Sequence, residues 1–355
     1  MQIFFLRELL PSATDARRSC PVMFDWTTQL NSSLVTAVNG NAASTWTAEM
    51  PARFEGWSLG DIAGLCGAWP LPQISDDEYA PTLQPPRAIP SDFDSRTQWP
   101  KCDATIAHVR DQTDCGSCWA FASTETFNDR RCISTGDTAL LSVQDTSSCC
   151  TGSACMHSNG CVGGSITGAW AWFVATGTVT GGDYTKAENS TASAGCRPWV
   201  YPTCTSNHTH HPDEPLCPKG EYKMYACEES CSNAAYSAKA YAADKVRANS
   251  TYRIQPYPDS LVQTDMVAHG PVSTIITVFE DFVAYKSGVY KHVTGWQLGS
   301  HAVEVIGWGN DPSAGKYWWV KNSWGSKWGM DGFVKIGHGE IGIENSWTTG
   351  YVGSF

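Results

Sequence analysis

Gln112-Thr113-Asp114-Cys115-Gly116-Ser117-Cys118-Trp119-Ala120-Phe121 is the stretch on which the reading of this chain turns. It has the form of a loop entering a helix that runs from Cys118 to Cys132, where Trp119, Phe121, Ala122 and Glu125 suit a partly buried face. Its two cysteines need different explanations. A thiol at a helix start meets the positive end of the macrodipole and unpaired N–H groups, which favour the thiolate. Cys118 fits that place, and Cys115 precedes it. Taken alone, Cys-x-x-Cys is equally a redox pair or half of a zinc site. However, the chain has 15 cysteines, an odd number, so a monomer keeps at least one thiol unpaired, and a Trp follows the second cysteine. Both features favour a nucleophile.

A cysteine nucleophile requires a base, and the base an orienting group, usually distant in sequence. His301 opens the run Ser300-His301-Ala302-Val303-Glu304-Val305-Ile306-Gly307-Trp308, and Asn322 sits in Trp319-Val320-Lys321-Asn322-Ser323-Trp324. They lie 183 and 204 residues beyond Cys118, against the roughly 130 to 150 expected for such a pair. Something is inserted between them. The candidate is the Cys-rich block from about Cys196 to Cys231, which carries His208, His210 and His211 between Cys204 and Cys217.

Working outward, the 355 residues are 42% hydrophobic and 12% aromatic, enough for a sizeable core and more than one folding unit. Only 17% are charged, the formal net charge is -11, and no basic run could neutralise a row of phosphates, which argues against nucleic acid. No apolar stretch reaches the roughly 18 to 20 residues of a membrane span. The best, Ile166 to Val179, is broken by Gly168, Thr176 and Gly177. Met1 to Leu10 has Ile3, Phe4, Phe5 and Leu6 but then Arg7 and Glu8, so either the true start lies upstream or a signal segment is atypical. Thirteen cysteines between Cys102 and Cys231 point to an oxidising compartment. N-x-Ser/Thr sequons at Asn31, Asn189, Asn207 and Asn249 are compatible with one that glycosylates.

Residues 1 to about 80 are poor in regular pattern, and Pro81, Pro85, Pro86 and Pro90 then mark a linker. The middle, Cys149 to Cys231, reads as loop-rich. Beyond about residue 260, Val272 to Phe279, Ala302 to Trp308, Lys316 to Lys321 and Gly332 to Ile336 read as strands of an antiparallel sheet. No internal repeat is present, leaving an α+β chain of two unlike halves.

With these motifs in order, the chain resembles the cathepsin B-like branch of the papain-type cysteine peptidases from about residue 35 onward. The resemblance implies a two-lobed fold, with the nucleophile helix in a helical left lobe, an antiparallel sheet or barrel in the right lobe and the cleft between them. It implies Cys118 as nucleophile, His301 as base, Asn322 as its orienter, Gln112 as a donor to the oxyanion, and Trp324 as a shelter for the Asn–His bond. Cys161-Val162-Gly163-Gly164 resembles the segment lining the substrate groove, the bland alternative being an ordinary turn. Disulfides implied by the family are Cys102–Cys132, Cys115–Cys161, Cys149–Cys227, Cys150–Cys155, Cys196–Cys231 and Cys204–Cys217, with Cys118 free in the mature part. Cys20 has no counterpart.

Val38-Asn39, Trp46 and Leu65-Cys66-Gly67 resemble a short propeptide that blocks the cleft, giving residues 1–88 as a signal remnant plus propeptide and 89–355 as the mature domain. Release falls near Arg87 to Pro90; the alternative is a retained N-terminal domain. The block at about 196–231 resembles an occluding loop, in which His210 and His211, with Asp111 as anchor, would bind a substrate's C-terminal carboxylate, the alternative being a solvated loop. The family's Arg–Asp tether aligns with Glu214 and Lys327, an exchanged pair. Its acidic S2 residue aligns with Ser346, implying apolar rather than Arg side chains at P2. The resemblance implies endopeptidase and C-terminal dipeptidase activity on polypeptides. It implies a monomer inhibited by its own propeptide, without cofactor or metal, in the lysosome, a related vacuole or the extracellular space. Competing readings are a catalytically silent peptidase-like binder and a thiol-disulfide oxidoreductase using Cys115 and Cys118.

Overall fold

The computed structural model of the protein describes residues 25–72, 79, 89–186, 189–205, 215–217 and 224–353. The strand-like texture of the C-terminal third is realised in one sheet. Its members are β3 (Tyr252–Arg253), β4 (Val272–Phe279), β5 (Tyr285–Tyr290), β6 (Gln297–Asp311), β7 (Gly315–Lys321), β8 (Phe333–Gly337) and β9 (Thr348–Thr349). Two earlier strands join them, β1 (Trp46–Ala48) and β2 (Phe93–Asp94). Among the described residues the order is β1-β5-β8-β7-β6-β4-β9-β3, with β2 also on β6. All pairings are antiparallel except β5 with β8. The long β6 is the spine: Ile276 of β4 faces His301, and Lys321 of β7 faces Glu304.

Against this sheet lies the central helix, Cys118–Thr135, closed by Gly136 in the left-handed conformation (φ 77°) that a side chain would disfavour. The sequence suggests a partly buried helix; the structure buries every residue from Cys118 to Cys132, polar ones included. Burial on all sides is offset by bonds to most of the polar side chains, Glu125 and Asp129 each keeping one oxygen unpartnered. Arg130 donates to the carbonyls of Pro271, Gly270 and Gly350 and pairs with Asp265, while Asn128 accepts from the Leu141 amide.

Three cores result. One surrounds the central helix with Trp119, Phe127, Trp170 and Phe173, a second fills the sheet with Trp318, Trp324, Trp328 and Val305, and a small third joins Cys102, Ile106, Cys132, Ile306 and Phe333. The middle region is loop-rich with one exception, the helix Ile166–Ala175, whose Trp170 and Phe173 pack on Phe127.

The N-terminal region departs from its patternless reading. It forms helices Ser32–Gly40 and Leu59–Gly64, started by an Asn31 cap and a Ser58/Asp61 capping box. Strand β1 extends the sheet from β5. These elements are too short for periodicity to reveal. Their apolar residues Leu34, Val38, Trp46, Phe54, Ile62 and Leu65 join the core of the sheet lobe. The Pro-rich linker lies largely outside the described residues.

Candidate active site

Cys118 is the first residue of the central helix and is fully buried. Its own N–H and those of Trp119, Ala302 and Gly67 are directed at the sulfur and favour the thiolate. Ala302 is the residue after His301, so the base strand and the nucleophile helix meet here. Cys115, by contrast, is bonded to Cys161 with an S–S length of 2.08 Å. That bond removes the Cys115/Cys118 redox pair and any Cys115 thiolate for zinc.

Across the cleft, His301 Nε2 lies 2.8 Å from Asn322 Oδ1, which also accepts from the Ser323 amide. Because the amide oxygen can only accept, Nε2 carries the proton and Nδ1 is left with the lone pair. Nδ1 has no hydrogen bond of good geometry, although the Leu65 carbonyl lies near enough to favour its protonated form. The Trp324 ring, fully buried, sits 4.9 Å from the imidazole and keeps water from the His–Asn bond.

Gln112 reaches the same point from the other lobe. Its Oε1 accepts from Ser323 Oγ at 2.7 Å, and its backbone N–H donates to the Ser323 carbonyl at 2.9 Å. Asp111 and Trp324 pair as an antiparallel bridge, and Gly325 donates to the Arg110 carbonyl. The loop before the nucleophile is thus stitched to the loop carrying Asn322. The Gln112 amide, Nε2, donates to the carbonyls of Leu65 (3.0 Å) and Cys115 (2.7 Å).

Leu65, Cys66, Gly67, Ala68 and Trp69 occupy the cleft itself. Gly164 donates to the Gly67 carbonyl, Trp69 donates to the Gly164 carbonyl, and Ala68 donates to the Ser300 carbonyl, at 2.8, 2.9 and 3.1 Å. A methyl group at Gly67 would fall 1.8 Å from the Gly116 carbonyl oxygen, and one at Gly163 would fall 2.6 Å from Trp69 Nε1. Both glycines are needed for two backbones to approach this closely. The Gly67 N–H is among the groups directed at the Cys118 sulfur, so the segment covers the nucleophile.

Sealing changes the electrostatics. Burial pushes the Cys118 thiol up to about 11, only partly offset by the four N–H groups. Burial also pulls His301 down to about 4, against the Asn322 bond and the Leu65 carbonyl. With the cleft occupied, thiol and imidazole are both neutral across the mildly acidic to neutral range. Cys66, half-buried, is the other free thiol among the described residues; burial, then repulsion from Cys118, raises it well above its usual range.

Of the remaining expected residues, Gly163 and Gly164 line the occupied groove. Ser346 ends the short turn Ile343–Ser346 and is half-buried. Its neighbour Glu344 points inward, accepting from Trp318 Nε1 and the Gly339 amide. Among the described residues six disulfides form, with the pairs that the resemblance implies. His208, His210, His211, Glu214 and Cys20 lie outside the described residues, and so does any test of the Glu214–Lys327 pair. Asp111, expected to anchor the histidines, is engaged by Arg53, whose Nη2 donates to Asp111 Oδ1 at 3.2 Å and to the Thr113 carbonyl at 3.0 Å. Arg53 was invisible in the sequence because a single arginine in a region without pattern carries no partner information. Among the described residues, no helix is long and apolar enough to cross a membrane.

Comparison with known proteins agrees with this geometry. Residues 89–351 match the papain family of cysteine proteases. A cathepsin B-like cysteine proteinase 4 of Caenorhabditis elegans is 43% identical over 262 residues, 73% of this chain and 74% of that protein. A cathepsin B-like cysteine proteinase of Schistosoma japonicum is 36% identical over 330 residues, 91% of each. Among solved structures, procathepsin B S9 from Trypanosoma congolense superposes with a TM-score of 0.72 at 27% identity, covering 92% of this chain and 99% of the other. In this chain the cleft between a helical lobe and a sheet lobe is filled by its own N-terminal segment, and the superposed structure is that of a proenzyme. The chain belongs to the papain family of cysteine proteases, within its cathepsin B-like group, and is a cysteine peptidase in zymogen form.

Proposed function

We propose that Cys118 is the nucleophile, His301 the general base and acid, Asn322 its orienter, and Gln112 with the Cys118 N–H the donors to the oxyanion. The observation that carries this reading is the meeting of the helix start at Cys118 with the strand of His301, whose Nε2 is fixed by Asn322 at 2.8 Å. Once the N-terminal segment leaves, water reaches the pair and the burial that keeps both neutral is relieved. Nδ1 takes the thiol proton, and the thiolate attacks the peptide carbonyl carbon. Negative charge develops on the carbonyl oxygen, and the Gln112 amide, no longer engaged by Leu65, donates to it. Imidazolium then protonates the departing amine and leaves a thioester. Water, deprotonated by the same ring, hydrolyses it.

Residues up to 88 act as the pro-segment, with release near Arg87 to Pro90, and residues 89–355 form the mature domain with an occluding insertion at about 196–231. Loss of the pro-segment frees Asp111 from Arg53. Asp111 then anchors His210 and His211, which bind a free C-terminal carboxylate and give dipeptidase activity beside endopeptidase activity. Ser346 leaves the S2 wall neutral, and Glu344 is spent on the core, so apolar side chains are preferred at P2 because an unpaired cation is costly to desolvate. Sequons on exposed Asn189 and Asn249, together with six disulfides, favour a secretory route ending in the lysosome or outside the cell.

The test is acid activation of the precursor, then hydrolysis of matched peptides with free and amidated C-termini. Wild type cleaves both and favours the free carboxylate. Cys118→Ser loses at least about 10⁴-fold in kcat/KM. Full activity in Cys118→Ser would end the reading, and equal rates on both peptides would remove its exopeptidase part.

A further inference from the structure

Behind the catalytic residues lies a seam of buried charge. Lys321 Nζ is 2.8 Å from Glu304 Oε2, 2.9 Å from Asp129 Oδ2 and 3.5 Å from Glu125 Oε2. All four side chains are at most 7% exposed. Each belongs to an element that delivers a catalytic group. Glu125 and Asp129 are on the central helix that begins at Cys118, Glu304 is on β6 three residues after His301, and Lys321 ends β7 immediately before Asn322. Glu304 and Lys321 are direct cross-strand partners. The space between them is too small to admit water.

The seam is not electrically balanced. Three carboxylates face one ammonium, and the nearby cations are committed elsewhere. Arg110 bonds Asp183 and the carbonyls of Leu141, Gly181 and Gly182, while His108 bonds Asp183. Glu125 Oε1, Asp129 Oδ1 and both Glu304 oxygens have no hydrogen bond of good geometry among the described residues, so Lys321 holds Glu304 by charge and proximity, as expected where acceptor oxygens outnumber protons. Burial raises Glu304 well above the carboxylate range, with repulsion from Asp129 and Glu125 adding to it. Burial likewise raises Glu125 to about 7, against the pull of Lys321, Arg110 and His108.

We propose that Lys321 is a positioning residue of the peptidase site, and that it forms with Glu304, Asp129 and Glu125 a proton-dependent clasp holding the two lobes in register. Carboxylates whose folded pKa lies above the unfolded value of 4.5 give stability that is complete below that value. It is lost as pH rises through the folded value, about 7 for Glu125. The clasp is therefore closed in acid and self-repelling above neutrality. When it loosens, His301 and Asn322 lose their register against Cys118 while the substrate groove at Gly163 and Gly164, on the other lobe, is untouched. The effect falls on kcat more than on KM, since of the groove only the Ser346 wall moves with the sheet lobe.

The catalytic consequence rests on the peptidase reading, whereas the clasp is measurable without it. The experiment follows the thermal midpoint of the full-length precursor from about pH 5 to 8 in wild type, Glu304→Gln and Lys321→Met, and then kcat and KM of the activated enzymes over the same range. In wild type the midpoint falls as pH rises, and Glu304→Gln, with one titrating carboxylate fewer, flattens that fall by about half and extends activity upward by about one pH unit. Lys321→Met lowers kcat about tenfold with KM within about twofold, and Lys321→Arg restores most of it. An unchanged pH slope in Glu304→Gln, or wild-type kcat in Lys321→Met, overturns the proposal. If Lys321→Met does not fold, the Glu304→Gln slope decides. If no variant, wild type included, cleaves peptides, the peptidase reading has failed and the thermal slopes still judge the clasp.

Discussion

Two interfaces meet at Cys118 and are built on opposite principles. The pro-segment lies against the sheet lobe through Trp46, Phe54, Ile62 and Leu65, and crosses the cleft through backbone hydrogen bonds of Gly67, Ala68 and Trp69. The seam between the lobes is held by Lys321 and three carboxylates, with the central helix buried around them. Apolar contacts of this kind are worth about 1.5 to 3 kcal/mol per fully buried side chain and depend little on pH. Buried ions depend on pH strongly and are costly to separate once formed. On the proposed reading, the surface that detaches is made of the first kind, and the one that persists through catalysis is made of the second. The exceptions at the detachable surface, Arg53 and the neutralised His301, are the places where a signal could act.

The largest effect expected at the detachable surface comes from Phe54, which is 1% exposed and packs edge-on against Trp57 and Trp324 at 5.5 and 5.3 Å. Phe54→Ala in a separately supplied pro-segment should cost about 3 kcal/mol or more, weakening inhibition of the mature enzyme by over about 100-fold. An inhibition constant within about fivefold of wild type would show that the backbone strand across the cleft, and not the apolar anchor, holds the segment.

Acid is the second lever. Burial in the filled cleft holds His301 at about 4, below the 6.5 of an ordinary imidazole, so the docked state refuses a proton that a solvated ring accepts. A depressed base contributes stability that is present above the open-state value and is lost as pH falls toward the docked one. Affinity of the pro-segment should therefore drop between about pH 6.5 and 4 by on the order of 3 kcal/mol, near 100-fold. Calorimetric titration of the separated segment into Cys118→Ser enzyme measures it. The drop should vanish in Cys118→Ser/His301→Gln, and its persistence there would place the acid sensor elsewhere.

How much of this was legible before the structure follows from range. Cys118, His301, Asn322 and Gln112 announce themselves because each sits in a motif whose residue types are dictated by chemistry. The strands Val272–Phe279 and Gly315–Lys321 were visible because alternation and flanking turn residues mark a half-buried sheet. The helices of the pro-segment were missed because six to nine residues give periodicity too little length. The seam was missed for a different reason. Glu125 reads in sequence as part of a partly buried face and Asp129 carries no signal of its own, and only the register of β6 on β7 and the burial of the whole helix bring both onto Lys321. Pairings of that kind are tertiary facts and leave no local signature.

Arg53 is the smallest of the expected effects and the one that separates the two principles most finely. Its guanidinium is buried over the rings of Phe54 and Trp57 at 5.2 and 4.8 Å and spends one nitrogen on Asp111 and the Thr113 carbonyl. Asp111 keeps some solvent contact, with 18% of its side chain exposed, so the pair is worth less than a sealed one. Arg53→Met preserves the stacking volume and removes the charge. Inhibition by the pro-segment should weaken about tenfold, on the order of 1.5 kcal/mol. Asp111→Asn in the enzyme should weaken it by a similar factor, and combining the two should add little, since both delete one interaction. The same Asp111→Asn change should lower the preference of the mature enzyme for a free C-terminus if that carboxylate passes from Arg53 to the loop histidines. Additive losses in the inhibition cycle would show instead that Arg53 acts through its aromatic contacts, making even this charged residue part of the apolar, detachable surface.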